Sequence, residues 1–241
     1  QQAPARTSEK LAYNKVNVPR GGEYQLTLSD GSKVQLNSMS SIRFPVQFAQ
    51  DCRLVELEGE AYFEVSKTGQ SFIVQTKGMK IEVLGTTFNI SAYANEEYQT
   101  TLVSGSVEVQ TENGSNRILK PSEQACITPG SNQINVRNVD TAFYTSWIHG
   151  KINFKDQRLD DIMKTLARWY DMDVVYDEYG IPYIPAKRIK GCIREAALEM
   201  VELGIIRDDQ YEKIFGKEGH QSAKVSISNA YMKDYASTVS A

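Results

Sequence analysis

With 241 residues, 41% of them apolar and 24% charged, the chain has the composition of an ordinary soluble protein of one large domain or two modest ones. A formal net charge of −3 gives no global reason to expect nucleic acid or an anionic membrane as a partner. No apolar run approaches the roughly 20 residues that a membrane helix needs, and no signal peptide opens the chain.

The first residues, QQAPARTSEKLAYN, are polar and read as a linker over residues 1–17. From Val18 to Val139 the pattern is strand, short turn, strand. Tyr24, Leu26 and Leu28 alternate, Ser29-Asp30-Gly31 turns the chain, and Val34 and Leu36 alternate back, which is a hairpin signature. Further turns are expected at Lys67-Thr68-Gly69, Ser104-Gly105-Ser106, Glu112-Asn113-Gly114-Ser115 and Pro129-Gly130-Ser131-Asn132. About ten strands at this spacing predict an antiparallel β-sandwich or a rolled β-sheet, with a β-solenoid as the alternative.

The strongest alternation lies between Arg53 and Val65. Val55, Leu57, Gly59, Ala61, Phe63 and Val65 fall on one face, and Glu56, Glu58, Glu60, Tyr62 and Glu64 on the other. The acidic row is expected to be a solvated face, because glycosidase or calcium chemistry needs carboxylates converging from different strands. Downstream, Ile81 and Val83 hold one phase and Leu84, Phe88 and Ile90 the other, which predicts a bulge at Gly85.

GEAYFEV (59–65) and VLGTTFNISAY (83–93), with VPRGGEYQLTLSDGSKVQLNSMSSIRFP before them and TLVSGSVEVQT after, resemble the periplasmic domain of FecR-type regulators of extracytoplasmic-function sigma factors. The resemblance covers roughly residues 16–176. It implies the exported part of a single-pass inner-membrane protein, whose membrane helix and sigma-factor-controlling region would precede this chain. It also implies the signalling domain of an outer-membrane TonB-dependent transporter as partner, and no cofactor.

After Trp147 the pattern changes. Ile152 to Phe154 reads as a short strand, Asp156 as an N-cap, and Leu159, Ile162, Met163, Leu166, Trp169 and Tyr170 as one helical stripe. Val174 to Tyr176 reads as another strand. This βαβ unit resembles the first half of the small domain that closes FecR-type proteins. From residue 179 onward, PYIPAKRIKGCIREAA (182–197), IFG (214–216) and VSISNAY (225–231) resemble instead a fragment of the RAMP proteins that bind guide RNA in CRISPR complexes. The expected organisation is therefore a linker (1–17), an all-β domain (18–146), the first βαβ half of a small domain (147–178) and a RAMP-like α+β tail (179–241). The junction over 177–188 is expected to be an open connection, cut first by trypsin at Lys187, Arg188 or Lys190.

Candidate sites follow from residue chemistry. Phe143, Tyr144, Trp147, Trp169 and Tyr170 concentrate both tryptophans of the chain in a short span, and such residues favour partner interfaces or the seal between two domains. Lys187, Lys190 and Arg194 form a basic stripe at the start of a tail helix, where the RAMP resemblance implies RNA-backbone contacts. A third reading, a carbohydrate-binding sandwich, would need Trp147 exposed for stacking. No nucleophile elbow or phosphate loop points to an enzyme. His149 and His220 stand apart from the cysteines, so no metal site is expected. Cys52, Cys126 and Cys192 are an odd set that argues against a disulfide framework, although Cys52 and Cys126 could pair in the periplasm.

Overall fold

The fold is described from a computed structural model, over residues 12–154 and 157–176, with residues 182–183, 194, 197–198, 201–202, 207 and 209 beyond them. It divides into two compact units, 1–155 and 156–241.

The first unit is mainly β. Its strands are β1 (Tyr13–Asn17), β2 (Tyr24–Thr27), β3 (Lys33–Leu36), β4 (Ser41–Pro45), β5 (Arg53–Glu64), β6 (Phe72–Gln75), β7 (Met79–Val83), β8 (Thr87–Ala92), β9 (Tyr98–Ser104), β10 (Val107–Thr111), β11 (Asn116–Leu119), β12 (Glu123–Ile127) and β13 (Asn135–Asn138). All thirteen join one hydrogen-bonded system. Nine follow one another along the path β11-β10-β7-β6-β5-β8-β9-β12-β13, a mixed sheet nearly closed into a barrel. Closure is enforced by chain length, since only Lys120 to Ser122 separate β11, at one end of the path, from β12 near the other.

The long strand β5 is the seam. Its first half pairs with β4 and β6, and its second half with β3 and β8. Two sheets therefore share it: β1-β4-β5-β6-β7-β10-β11 and β2-β3-β5-β8-β9-β12-β13. The halves meet at Gly59, whose φ of +89° and whose position against Ser40 exclude a side chain: a Cβ there would lie 2.4 Å from Ser40 Oγ. The alternation runs through this turn unbroken, so Val55, Leu57, Ala61 and Phe63 all face the core. Phe63 stacks on Phe88 at 5.1 Å between centroids and meets Phe72 edge-on at 6.1 Å, which ties the two sheets together.

Four expectations change here. Residues 13–17, expected as the end of a linker, form β1 and pair antiparallel with β4. The pairing is not purely antiparallel, because β5 and β6 run parallel. The stretch 81–93 is two strands, and Leu84-Gly85-Thr86 carries the chain from one sheet to the other; the register irregularity lies at Thr87/Phe88 instead. Gly85 is needed for close approach, since a Cβ would fall 2.1 Å from Lys67 Cγ. The acidic face of β5 is also uneven. Glu56, Glu58 and Glu64 are exposed, but Glu60 is half-buried and takes hydrogen bonds from Asn37 Nδ2 (2.7 Å) and Asn89 Nδ2 (2.9 Å).

At the start of β5, Arg53 is 1% exposed. Its Nη1 donates to Asp30 Oδ2 (2.6 Å) and Ser66 O (2.9 Å), and its Nη2 to Gln70 O (2.6 Å). The guanidinium thereby fastens the β2–β3 turn and the 66–70 loop to the seam.

In the second unit, α2 (Leu159–Trp169) forms at the expected helical stripe, with Met163 buried. Its N-cap position is Arg158, without a side-chain cap, so the helix starts later than a cap at Asp156 would place it. Residues 152–154 carry no strand, contrary to expectation. Strand β14 (Val175–Tyr176) pairs antiparallel with β15 (Pro182–Tyr183). The RAMP-like segments at 214–216 and 225–231 lie outside the described residues.

Candidate functional site

The second sheet has one apolar face on the core and one polar face outward, and part of the polar face is covered. Tyr62, Asn89, Thr101, Gln124 and Arg137 are successive cross-strand neighbours from β5 to β13, so they form one row. Asn89, Thr101 and Gln124 are nevertheless buried. Their cover is the segment after β13, namely α1 (Thr141–Thr145) and the tight helical turn Ser146–His149. Asp140 starts α1 by accepting a hydrogen bond from Ala142 N (3.0 Å), and Gly150 N–H closes the turn on Trp147 O (2.9 Å).

Two polar networks connect cover and sheet. Trp147 Nε1 donates to Asn89 Oδ1 (3.1 Å), and Asn89 passes on to Glu60. Arg137 Nε and Nη2 donate to Gln124 Oε1 (2.9 and 2.7 Å), while Gln124 Nε2 donates to Thr101 Oγ1 (2.7 Å). Arg137 Nη2 also donates to Tyr144 Oη at 3.3 Å, with the guanidinium 5.9 Å from the ring centroid. Burial, reinforced by the Glu64 carboxylate, pushes the Tyr62 phenol above its ordinary range. Burial and Glu97 push the Cys126 thiol up to about 12, against the opposing pull of Arg137. Cys126 and Cys52 are both free thiols.

The expected interface residues divide between the units. Phe143, Tyr144 and Trp147 sit together on the covering segment, the first two edge-to-face at 5.2 Å. Trp147 is 5% exposed, which removes the stacking platform that a carbohydrate-binding reading needed. Trp169 and Tyr170 end α2 in the second unit, and Tyr170 is 54% exposed. Arg194 is helical and exposed, while Lys187 and Lys190 lie outside the described residues. Asn89, Gln124 and Arg137 escaped the sequence reading. Strand parity alone could have placed Asn89 on the outward face, but nothing local announced a cover 58 residues away.

Amides, a guanidinium and aromatic rings are groups common in protein recognition. The family description "FecR protein" matches residues 14–108, and "FecR, C-terminal" matches residues 151–201. A crystal structure at 2.50 Å of a candidate anti-sigma factor from Parabacteroides distasonis ATCC 8503 is 34% identical, covers 70% of this chain and 79% of that one, and superposes with a TM-score of 0.67. A second crystal structure of a candidate anti-sigma factor from the same organism, at 1.65 Å, is also 34% identical, over 68% and 78% of the two chains, with a TM-score of 0.65. No curated protein sequence matches. The chain belongs to the FecR family of anti-sigma factors, non-enzymatic transmembrane regulators of sigma-factor activity whose FecR domains are periplasmic. Among the described residues, no helix is long and apolar enough to cross a membrane. The resemblance of the tail to RAMP proteins gains no support, since residues 182–197 lie inside the FecR C-terminal match.

Proposed function

We propose that this chain is the periplasmic part of a regulator that relays a signal from an outer-membrane TonB-dependent transporter to a cytoplasmic sigma factor by protein–protein recognition. The observation that carries this reading is the ordered pair of family matches, one on the β unit and one on the unit that holds α2. In this reading the transporter's signalling domain binds the second unit, and the aromatics at the end of α2 anchor it. Tyr170 offers a large, half-exposed ring that loses little side-chain entropy on burial, as interface anchors do. Phe143, Tyr144 and Trp147 are the further partner-binding candidates, on the first unit. The sigma factor would be reached through a region preceding this sequence.

The test is a calorimetric titration of the full chain with the amino-terminal signalling domain of its cognate transporter. Saturable binding is expected, weakened about tenfold by Tyr170→Ala, which corresponds to about 1.4 kcal/mol. A folded chain that shows no binding at tens of micromolar would overturn the relay.

A further inference from the structure

We infer that residues 141–149 form a releasable strap, able to lift from the outer face of the second sheet while both sheets stay folded. Trp147 is the strap's one buried side chain, and α1 itself buries none. The surface beneath is polar, so lifting the strap puts amides and hydroxyls into water and opens no apolar core.

The hydrogen bonds divide in the same sense. Those within the strap are local and travel with it: Asp140 caps Ala142, Thr145 Oγ1 donates to Thr141 O (3.0 Å), and Ser146 Oγ donates to Phe143 O (3.2 Å). Those within the sheet also survive release, because Asn89 keeps Glu60, and Gln124 keeps Thr101 and Arg137. What is lost, among the described residues, is the Trp147–Asn89 bond and the Arg137–Tyr144 contact. Each freed group then meets water, so none is left buried without a partner.

The strap's position gives the release a use. Its last residue is followed by Gly150, and the FecR C-terminal match begins at residue 151. A partner that binds that region more tightly when the strap is lifted would shift the chain toward the state with the polar row uncovered. This use rests on the relay reading above, whereas release itself does not.

The test is hydrogen–deuterium exchange on the full chain without any partner, so its failure would leave the relay reading standing. Amides of 141–150 are expected to exchange at least tenfold faster than those of β8, β9 and β12. Trp147→Phe, which keeps an aromatic ring but removes the N–H and shrinks the buried side chain, should speed the strap several-fold further and leave β6, β7 and β10 unchanged. Tyr144→Phe, which removes only the hydroxyl that accepts from Arg137 Nη2 and leaves the Arg137–Gln124 bonds in place, provides the same readout with little risk to folding. Strap amides that exchange in step with β8 and β9 would overturn the inference, as would either variant accelerating both sheets alike.

Discussion

Arginine is seldom fully buried, so Arg53 must repay its desolvation through its partners. Asp30 supplies the counter-charge at 2.6 Å and is itself held by Ser32 N and Oγ. Asp30→Ala leaves the guanidinium charged, buried and unneutralised, and is expected to cost about 3–5 kcal/mol in urea denaturation. The exposed pair Arg43–Glu56, also close at 2.7 Å, should contribute under about 1 kcal/mol and fade with salt. None of this is legible in sequence, where Arg53 only marks the start of the alternating stretch, because its partner sits in a turn 23 residues earlier. A second residue-scale prediction concerns alkaline pH. The Cys126 thiol is raised from 9.0 to about 12, so the unfolded chain gives up this proton first. Unfolding then releases a proton, and stability falls as pH rises from about 9 toward 12. Cys126→Ala should flatten that slope in denaturation series at pH 8, 9 and 10, leaving the weaker contribution of Tyr62, which acts in the same direction.

Among the elements, β5 shows both the reach and the limit of pattern reading. Its period of two placed every side chain on the correct face, because burial follows strand parity whichever sheet the strand joins. Its membership of two sheets was invisible, since Gly59 redirects the backbone without shifting that parity. At Gly85 the reverse held: a phase change is the same written in sequence whether it comes from a bulge or from a crossing between sheets. Gly59→Ala must place a methyl against Ser40 Oγ at 2.4 Å and hold an L-residue at φ +89°. A loss of about 2–5 kcal/mol is expected, read as a drop in melting temperature. Gly85→Ala should be milder, because Gly85 has no positive φ and the nearest backbone atom to its Cβ, Lys67 Cα, lies at 3.1 Å against 2.8 Å for Ser40 Cα at Gly59. The aromatic span was read as one cluster, but three of its members ride on the strap and two end α2. Spacing along the chain cannot separate a ring that turns back onto its own sheet from one that stays in solvent.

For the whole molecule, the β unit carries its own continuous core, from Val18 to Ile127. A chain ended after residue 155 is therefore expected to keep β-type circular dichroism and one cooperative unfolding transition. Loss of that cooperativity on truncation would show that residues beyond 155 complete the core. The family match running to residue 201, and the pairing of Pro182–Tyr183 with β14, place the start of the expected foreign tail inside the second unit's own pattern. The shared strand has a further consequence, in time. β5 takes its partners from residues 33–45 before it and 72–92 after it. No nascent fragment ending short of Ala92 can finish its centre, and most of its pairings close long loops, which places folding in the range of milliseconds to seconds. Until β8 arrives, the emerging chain shows the bare edge of its longest strand, with Phe63 uncovered beside it. The same residues that make the finished body rigid are thus its most aggregation-prone moment during synthesis.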